Sequence, residues 1–512
     1  MKLYKLFFIA AISLGFMACN ADDQPEVPQH ETDSYASITV KFPGTVKFTE
    51  TSVTRALPGD YNEKNTWQGR DKLETVSVFL VNTTKGVVDY NSFSKSAFTE
   101  ITATGELKPN LALKATAGEN VRAYVVINGA ESILTTLKAT SAANFPTVFA
   151  AEYAKIASEV ASYNAPEAPA TTGTETIMMT NDQDTYSMTV LPNITKEDAI
   201  LDGNANNILI NVERVVSRAF MTVTPEATTG TGWPVKEVVG GVESQIATVK
   251  GITYAVGQSN KKFYLMKKST YEVPNPVYTF VPVDMTSWTT GNVNFDYTGL
   301  TSFTAVTPWT YDANAVSTPL ISEATSKFVL PVNHVVTETD LSVARGSYKK
   351  GNTTYFEIRA TFMPLLVEGA APTFTTPTTV YWGENDKKFY YTRTAAEAQG
   401  QNATEFTNGV MKYVLWLNPN SMTSTATDPN PKVSPTVRNQ VYHAHIDAFL
   451  RMGLPNNPLN PADPDNGDNP DNPINVEDPL KTDFTYLSVS VKVLPWTIHT
   501  YKYSLTDPGT MY

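Results

Sequence analysis

Cysteine is almost absent from the sequence, which has one, Cys19, in 512 residues. A single cysteine cannot form a disulfide within the chain, so a folded protein of this sequence depends on packing for its stability. Charge is also scarce, because Asp, Glu, Lys and Arg make up 18% of the residues, with a formal net charge of −12. With no basic stripe to displace the counterions of phosphates, this composition excludes nucleic acid as a partner.

The sequence also lacks the common signatures of catalysis. It contains no G-x-S-x-G, H-E-x-x-H, G-x-x-x-x-G-K-[ST] or C-x-x-C motif, each of which would carry the reactive groups of a known chemistry. Carboxylates and serines are plentiful but are not paired by a recognisable spacing. We therefore expect a protein that is not an enzyme and that needs no cofactor.

Two features could bind a metal, and for both the plainer interpretation is favoured. His443 and His445 lie two residues apart on a predicted strand and so point to one face, where a third ligand would complete a site. No acidic residue or cysteine is evident as that ligand, which favours packing or hydrogen bonding of the two rings. Residues 463–471 superficially resemble a calcium loop but lack the EF-hand spacing, which favours a solvated acidic linker.

The N-terminus has the pattern of a secretion signal. Lys2 and Lys5 precede an apolar run over residues 6–16 that is too short to span a bilayer. The run ends in Phe16-Met-Ala-Cys19, which resembles a bacterial lipobox, so Cys19 is the expected lipidation site and residues 1–19 the lipoprotein signal peptide. The alternative is a stray cysteine within an ordinary signal peptide.

Strands of the same pattern lie at the two ends of the chain. Near the start, Ile38, Val40 and Phe42 alternate with polar residues, and Pro43-Gly44 follows. Near the end, residues 486–496 place apolar side chains on one face and Ser488, Ser490 and Lys492 on the other, which predicts a half-buried strand. The apolar face of this last strand, with the residues that end it, consists of Leu487, Val489, Val491, Val493, Leu494 and Trp496. Residues 456–485, before it, are rich in Pro, Asn and Asp and form a tether that does not pack.

Between the two ends, many short β-branched stretches separated by turn residues predict a mainly β protein. Few helical patterns occur, and the best of them covers residues 148–162 in the first half of the chain. The expected fold is two Greek-key β-sandwich domains, with a short helical insertion in the first. We place the N-terminal domain at residues 56–212 and the C-terminal domain at residues 213–455.

Several segments, in order along the chain, are similar to those of a known family. They are residues 67–78, 176–180, 212–219, 327–331, 350–353, 416–419, 437–446 and 489–501. With them the chain resembles the Bacteroidales fimbrillin family (type V pili), and within it the major shaft subunit of the minor, or short, fimbriae. The family resemblance implies transthyretin-like β-sandwiches and a structural role in a surface fimbria that supports adhesion, biofilm formation and virulence.

The same resemblance implies a mode of assembly. A lipidated (palmitate-bearing) precursor reaches the outer membrane, where an Arg-specific surface protease cuts between Arg55 and Ala56. The cut removes the propeptide, residues 20–55, whose first strand contains Ile38, Val40 and Phe42. The gap accepts the donor strand of the next subunit, which comes from residues 486–512. The implied partners are further copies of the chain, anchor and tip subunits, the protease, and ligands on host or bacterial surfaces.

Other interpretations remain open from the sequence. Arg55 can be an ordinary loop arginine, and the terminal strand can fold back into its own domain to give a closed monomer. The chain can instead be a monomeric surface lipoprotein that binds glycan or a host protein through Trp309, Trp382 or Trp416, although core packing is the commoner role of tryptophan. A third possibility is the anchor subunit of a pilus, which would keep its first strand and its lipid.

Overall fold

The computed structural model describes residues 33–42, 63–66, 70–101, 105–268, 273–274, 294–312, 315–332, 352–369, 376–417, 436–455, 487–495 and 497–499. Within them the chain is mainly β, as predicted, and forms two large sheets with few helices. None of the helices among these residues has both the length and the apolar character needed to cross a bilayer.

The strands of the first part of the chain are short and closely spaced. They are β1 (Asp33–Lys41), β2 (Glu63–Thr66), β3 (Thr75–Asn82), β4 (Val87–Ser94), β5 (Phe98–Ile101), β6 (Glu106–Pro109), β7 (Leu113–Thr116), β8 (Gly118–Ile127), β9 (Glu152–Ala154), β10 (Ala161–Asn164), β11 (Thr174–Ile177), β12 (Met179–Asn181), β13 (Ser187–Val190) and β14 (Asn207–Arg214).

The strands of the second part include the longest in the protein. They are β15 (Ser217–Val223), β16 (Trp233–Val239), β17 (Val242–Gly257), β18 (Ser259–Asn260), β19 (Lys262–Tyr264), β20 (Phe295–Asp296), β21 (Thr304–Ala305), β22 (Thr307–Pro308), β23 (Lys327–Val329), β24 (Tyr355–Pro364), β25 (Val367–Glu368), β26 (Val380–Gly383), β27 (Phe389–Tyr390), β28 (Ala403–Phe406), β29 (Val410–Trp416), β30 (Gln440–Phe449), β31 (Leu454–Pro455), β32 (Leu487–Pro495) and β33 (Thr497–His499).

The first sheet has the strand order β4-β3-β8-β12-β14-β1-β6-β5, with β13 paired to β8 and β7 paired to β1. Its centre is built from β-branched and aromatic residues. Strand β3 is buried along all but its first residue, as expected for a strand with neighbours on both sides. The apolar residues of this sheet form one core, which also contains Phe145 and Phe149.

The second sheet has the order β22-β15-β30-β16-β17-β24-β29-β31, with β21 paired to β17, β23 to β15 and β32 to β30. Strands β17 and β24 run antiparallel over most of their length and form its long central pair. A separate core lies against this sheet. The first sheet ends with β14 at Arg214 and the second begins with β15 at Ser217, so a turn of two residues joins them.

The helices are short: α1 (Glu131–Lys138), α2 (Phe145–Phe149), α3 (Lys196–Ala199), α4 (Ser317–Ser322) and α5 (Arg393–Glu397), with 3-10 turns at Lys95–Ala97, Ala157–Glu159, Thr298–Thr301 and Thr407–Gly409. The prediction of a helix over residues 148–162 is wrong. The range instead contains the end of α2, strand β9, the 3-10 turn at Ala157–Glu159 and the start of β10. Pairing of β9 with β19 and of β10 with β11 outweighs a local apolar spacing that also suits short strands.

Candidate functional site: the slot of the first strand

Strand β1 lies in the interior of the first sheet. It runs parallel to β14, with Ser37 opposite Asn207 and Val40 opposite Ile210. It also runs antiparallel to β7 in its first half and to β6 in its second half. At Val40 both sides of the strand are paired. Removing β1 would therefore open a gap inside the sheet and expose two rows of backbone N–H and C=O groups.

The inner face of β1 is apolar and fully packed. Ala36, Ile38 and Val40 are buried members of the first core, with exposures of 0%, 2% and 0%. Phe42, directly after the strand, packs against the same core and is half-buried. The predicted alternation of Ile38, Val40 and Phe42 on one face is what the structure shows. Burying an Ile or Val side chain stabilises a fold by about 1.5–3 kcal/mol, so this face binds the strand firmly.

The outer face of β1 is buried too, which the alternating sequence does not predict. Ser37 donates its Oγ hydrogen to the Ala199 carbonyl oxygen at 2.6 Å. Thr39, exposed by only 8%, donates to Asn207 Oδ1 at 3.0 Å. At the end of the strand Lys41 forms an ion pair of 3.4 Å with Glu106, and both side chains are partly exposed. The outer face thus has two buried hydroxyl sites, at Ser37 and Thr39, and one partly exposed cation site, at Lys41.

Residues 191–207, which we call the strap, make the cover over this outer face. The strap contains α3, and its Ile194 carbonyl oxygen accepts a hydrogen bond of 3.1 Å from the Tyr35 backbone N–H. Asn206 Nδ2 donates to the Tyr35 carbonyl oxygen at 2.8 Å and to Ser34 Oγ at 3.3 Å. The Asn206 carbonyl oxygen also accepts from the Ser37 N–H at 2.8 Å. These hydrogen bonds hold β1 in the sheet, so β1 can leave only if the strap moves away from it.

The predicted donor strand lies on its own chain in this structure. Strand β32 pairs antiparallel with β30, and the strand-pairing register sets Val489 opposite Ile446, Val491 opposite Ala444 and Val493 opposite Tyr442. Leu487 and Leu494 belong to the same strand, and β33 after it pairs with β2. The alternative in which the terminal strand folds back is therefore the arrangement of the single chain described here. Exchange between chains stays a prediction for the cleaved protein.

The remaining sequence-predicted positions of this site lie outside the described residues. They are the lipidation residue Cys19, the cleavage residues Arg55 and Ala56, the strand-terminating Trp496, and the acidic linker, residues 456–485.

A buried charge cluster connects strand β11, which directly precedes β12 of the first sheet, to the second sheet. Glu175 of β11 accepts from Arg70 Nη2 at 2.9 Å and lies 3.0 Å from Arg218 Nη1 of β15. Arg218 also pairs with Glu323 at 2.6 Å, and Tyr254 donates its hydroxyl to Glu323 at 2.6 Å. Two arginines face two glutamates, so the cluster is neutral overall, as a buried group of charges must nearly be.

The two glutamates of the cluster respond differently to burial. Burial raises the pKa of Glu175, but the charges of Arg218 and Arg70 together with the Ser326 hydroxyl outweigh it and bring the pKa below its ordinary value. Burial dominates at Glu323 and raises the pKa of that carboxyl, because one arginine opposes it there rather than two. Burial, followed by the nearby Glu323 charge, raises the pKa of Tyr254 well above its ordinary value. Glu175 is therefore the firmly ionised centre of the cluster.

A second arginine connection lies close by. Arg438 donates from Nε to the Arg214 carbonyl oxygen at 3.1 Å, and from Nη2 to Thr180 Oγ1 at 3.1 Å. Its Nη1 donates to the carbonyl oxygens of Tyr264 and Leu265, each at 3.2 Å. One guanidinium thus connects the end of β14 and strand β12 to the last residue of β19 and the residue after it. The sequence signal for both connections was present: Arg70, Arg214, Arg218 and Arg438 all lie in the family-like segments.

The paired histidines form hydrogen bonds between two strands of the second sheet, β30 and β15. His443 Nε2 and His445 Nδ1 each lie 2.7 Å from the Thr222 hydroxyl, so both rings do point to one face. Both rings are fully buried, and Trp309 packs edge-on against them. Among the residues described by the structure, no three His, Cys, Asp or Glu side chains are placed to hold a metal ion. The geometry is that of a hydrogen-bonded core contact.

The three tryptophans considered as a glycan platform do not form one. Trp382 and Trp416 are buried, with exposures of 7% and 9%, in two different apolar clusters. Trp309 is partly buried beside the histidines. A stacking platform needs exposed ring faces on one surface, so the prediction of such a platform is wrong for Trp382 and Trp416.

Comparison with known proteins shows what this chain is similar to. Residues 404–502 match the family model of the major fimbrial subunit protein type IV, fimbrillin, C-terminal. The match covers strands β28 to β33, including the whole pair of β30 and β32. These residues are similar to the C-terminal part of fimbrillins, and the resemblance inferred from the sequence segments is confirmed.

Over nearly its whole length the chain is similar to the minor fimbrium subunit Mfa1 of Porphyromonas gingivalis, with 28% identity covering 98% of this chain and 99% of that protein. A crystal structure of a fimbrilin (FimA) from P. gingivalis W83 overlays with a TM-score of 0.42 at 12% identity, covering 91% of this chain and 99% of that one. The tip fimbrial protein Mfa3 from P. gingivalis overlays with a TM-score of 0.31 at 10% identity, covering 81% and 95%.

Proposed function

We propose that this protein is a structural subunit of a surface fimbria that polymerises by strand exchange. Cleavage after Arg55 severs β1 from the rest of the chain, and the slot it leaves takes the C-terminal strand of another copy. The precursor is lipidated at Cys19 and anchored in the outer membrane, and the mature filament supports adhesion. Residues 56–212 and 213–455 act as two β-sandwich domains, with residues 456–485 as the tether.

The observation that carries this proposal is the position of β1 between β14 and β6. A protein that loses an edge strand keeps an intact sheet, whereas one that loses an interior strand keeps an open slot with apolar and hydrogen-bonding walls. Adding an extended segment to such a slot is β-augmentation, in which ladder hydrogen bonds supply affinity and alternate side chains supply specificity. The chain also has no disulfide to secure a joint, so a buried strand is the means available.

The donor strand gains a large gross burial energy in the slot. Four apolar donor residues, Leu487, Val489, Val491 and Val493, contribute about 6–12 kcal/mol when buried, before ordering costs. Strand β32 must first leave β30, so its ladder hydrogen bonds are largely traded for equivalent ones. Before cleavage β1 is held at an effectively high concentration by its own chain and blocks the slot. Cleavage removes that advantage, and the severed strand diffuses away.

The test is to treat the purified precursor with an Arg-specific protease and to follow the products. We expect an N-terminus at Ala56 and ladders of polymers that resist SDS but dissociate on heating. An Arg55→Ala variant should stay monomeric under the same treatment. A matched Arg122→Ala variant, which alters an exposed arginine of β8, should polymerise like the wild type. Deleting residues 486–512 should leave the protein folded but unable to form ladders.

A cleaved protein that stays monomeric at high concentration would overturn the proposal. The anchor-subunit alternative predicts surface material that begins at Cys19 with its lipid, so N-terminal sequencing of native material separates the two. The glycan-binding alternative loses its structural support, because Trp382 and Trp416 are core residues.

A further inference from the structure

The two strands that would compete for the slot have similar sequences when read in the same direction, with four of nine positions identical. Residues 34–42 read Ser-Tyr-Ala-Ser-Ile-Thr-Val-Lys-Phe, and residues 485–493 read Thr-Tyr-Leu-Ser-Val-Ser-Val-Lys-Val. Tyr, Ser, Val and Lys recur at equal positions, and hydroxyl residues stand at the three positions where β1 has them. This agreement extends to the outer face, which core burial alone does not demand.

We propose that the incoming strand adopts the direction and register of β1, with Ser488 in place of Ser37, Ser490 in place of Thr39 and Lys492 in place of Lys41. This inference rests on the proposed function and specifies how the slot recognises its occupant. The strap and Glu106 determine which strand is accepted, because they contact the polar side chains of its outer face. The inner face is less selective, because many strands alternate apolar residues.

Each outer-face site has the chemistry of the residue that would replace its present occupant. The Ala199 carbonyl oxygen, which accepts from Ser37 in a dry site, suits the Ser488 hydroxyl. Asn207 Oδ1, which accepts from Thr39, suits Ser490. Glu106, which pairs with Lys41, suits Lys492. An acceptor shielded from water and left without a donor is costly, so a strand that fits well supplies both hydroxyls, while Glu106 adds a weaker, partly exposed ion pair.

Other placements of the strand fail on these same sites. A shift by one residue turns the apolar face outward. A shift by two residues toward the start of the slot places Lys492 in the dry Thr39 site and leaves Glu106 facing Leu494. The opposite shift sets Tyr486 in the Ser37 site, where no room exists for a ring, because Ser37 is 1% exposed. Reversing the strand brings Lys492 to that same closed site.

The inner faces of β1 and of the incoming strand differ at both ends. Leu487 replaces Ala36, and Val493 replaces Phe42, so the larger apolar side chain moves from the last of the four inner-face positions to the first. Position 36 stands opposite Leu113 of β7, whose pairing covers only the first half of the slot. We expect β7 to adjust to the larger residue, while β14 and β6 keep their pairing.

Disulfide trapping between two single-cysteine chains tests the register. Cleavage at Arg55 removes Cys19, so the mature chain has no other cysteine. Lys41 pairs with Glu106 across β1 and β6, so the register sets Lys492 of one copy opposite Glu106 of the next. Glu106→Cys and Lys492→Cys chains are cleaved, mixed and oxidised, and the linked peptides are identified by mass spectrometry. The matched control mixes Glu106→Cys with Ser490→Cys, a position two residues away on the same face.

We expect disulfide-linked pairs of unlike chains with Lys492→Cys and at least tenfold fewer with Ser490→Cys. As a second measurement, Glu106→Lys should slow polymerisation, and Lys492→Glu on the same chain should restore it. Polymers that cross-link through Ser490→Cys, or through neither position, would overturn the register and leave strand exchange standing. A wild-type protein that forms no polymer after cleavage would overturn both.

Discussion

Glu175 and Arg218 form an ion pair of 3.0 Å in which neither side chain is exposed to solvent, and each comes from a different part of the fold. Glu175 lies on β11, whose neighbour in sequence, β12, belongs to the first sheet, and Arg218 lies on β15 of the second sheet. The pair is one of the polar connections between these parts of the fold, another being the set of hydrogen bonds made by Arg438.

We expect Glu175→Gln to destabilise the protein strongly. The change removes one of the two negative charges of the cluster and leaves Arg70 and Arg218 with a deficit of partners in a dry site. Breaking a buried ion pair in this way costs about 3–5 kcal/mol. Denaturant unfolding of the uncleaved protein measures the change. The control is Glu74→Gln, whose carboxylate forms an exposed pair with Lys72 and should matter little.

The free energy of unfolding should also depend on pH through the protonation of Glu175. Its folded-state pKa lies below the ordinary value of 4.5, so its contribution is fully present above pH 4.5 and is lost as the pH falls toward the folded pKa. The difference in unfolding free energy between wild type and Glu175→Gln should therefore be constant near neutral pH and shrink below pH 4.5.

Glu323 should show the opposite pH dependence of stability. Its folded-state pKa is raised by burial, so its contribution is present at low pH and is lost as the pH rises above 4.5 through the folded pKa. The difference between wild type and Glu323→Gln should accordingly shrink as the pH rises. Equal pH profiles for the two variants would contradict the assignment of Glu175 as the ionised centre.

Arg438→Lys should loosen the connection between the sheets. A lysine keeps the charge but cannot reach the carbonyl oxygens of Arg214 and Leu265 together with the Thr180 hydroxyl, because its ammonium is a single point. We expect a loss of about 2–4 kcal/mol from the acceptors left unmet. Thermal unfolding measures this loss, with Arg122→Lys, an exposed site, as the matched control. A small loss equal to that of the control would show that solvent satisfies the acceptors.

A synthetic peptide of residues 484–496 should cap the growing chain. It contains the apolar alternation of β32 without a folded domain, so a cleaved subunit that accepts it cannot accept another copy. Added in excess during cleavage, it should shorten the ladders on SDS gels in proportion to its concentration. The same peptide with Val489→Asp and Val491→Asp is the control, because two buried carboxylates would oppose entry. Ladders unaffected by the first peptide would contradict a strand-shaped acceptor.

The sequence predicted correctly those elements whose residues follow a local pattern. The alternation of Ile38, Val40 and Phe42 predicted a strand with one apolar face, and the family-like segments around Arg70 and Arg218 marked residues that the fold uses. The apolar spacing over residues 148–162 was misleading, since periodicity in a short stretch does not separate a helix from two strands. Pairing partners decide that question, and they come from elsewhere in the chain.

By itself, the sequence determined that this protein is mainly β, has no disulfide, and carries strands of one pattern at both of its ends, because these properties follow from composition and nearest neighbours. Only the tertiary structure decided that β1 is an interior strand, that the strap covers Ser37 and Thr39, and that Glu175 meets Arg218. Those facts depend on contacts between residues far apart in the chain, whose geometry exists only when the sheets and their cores have formed together.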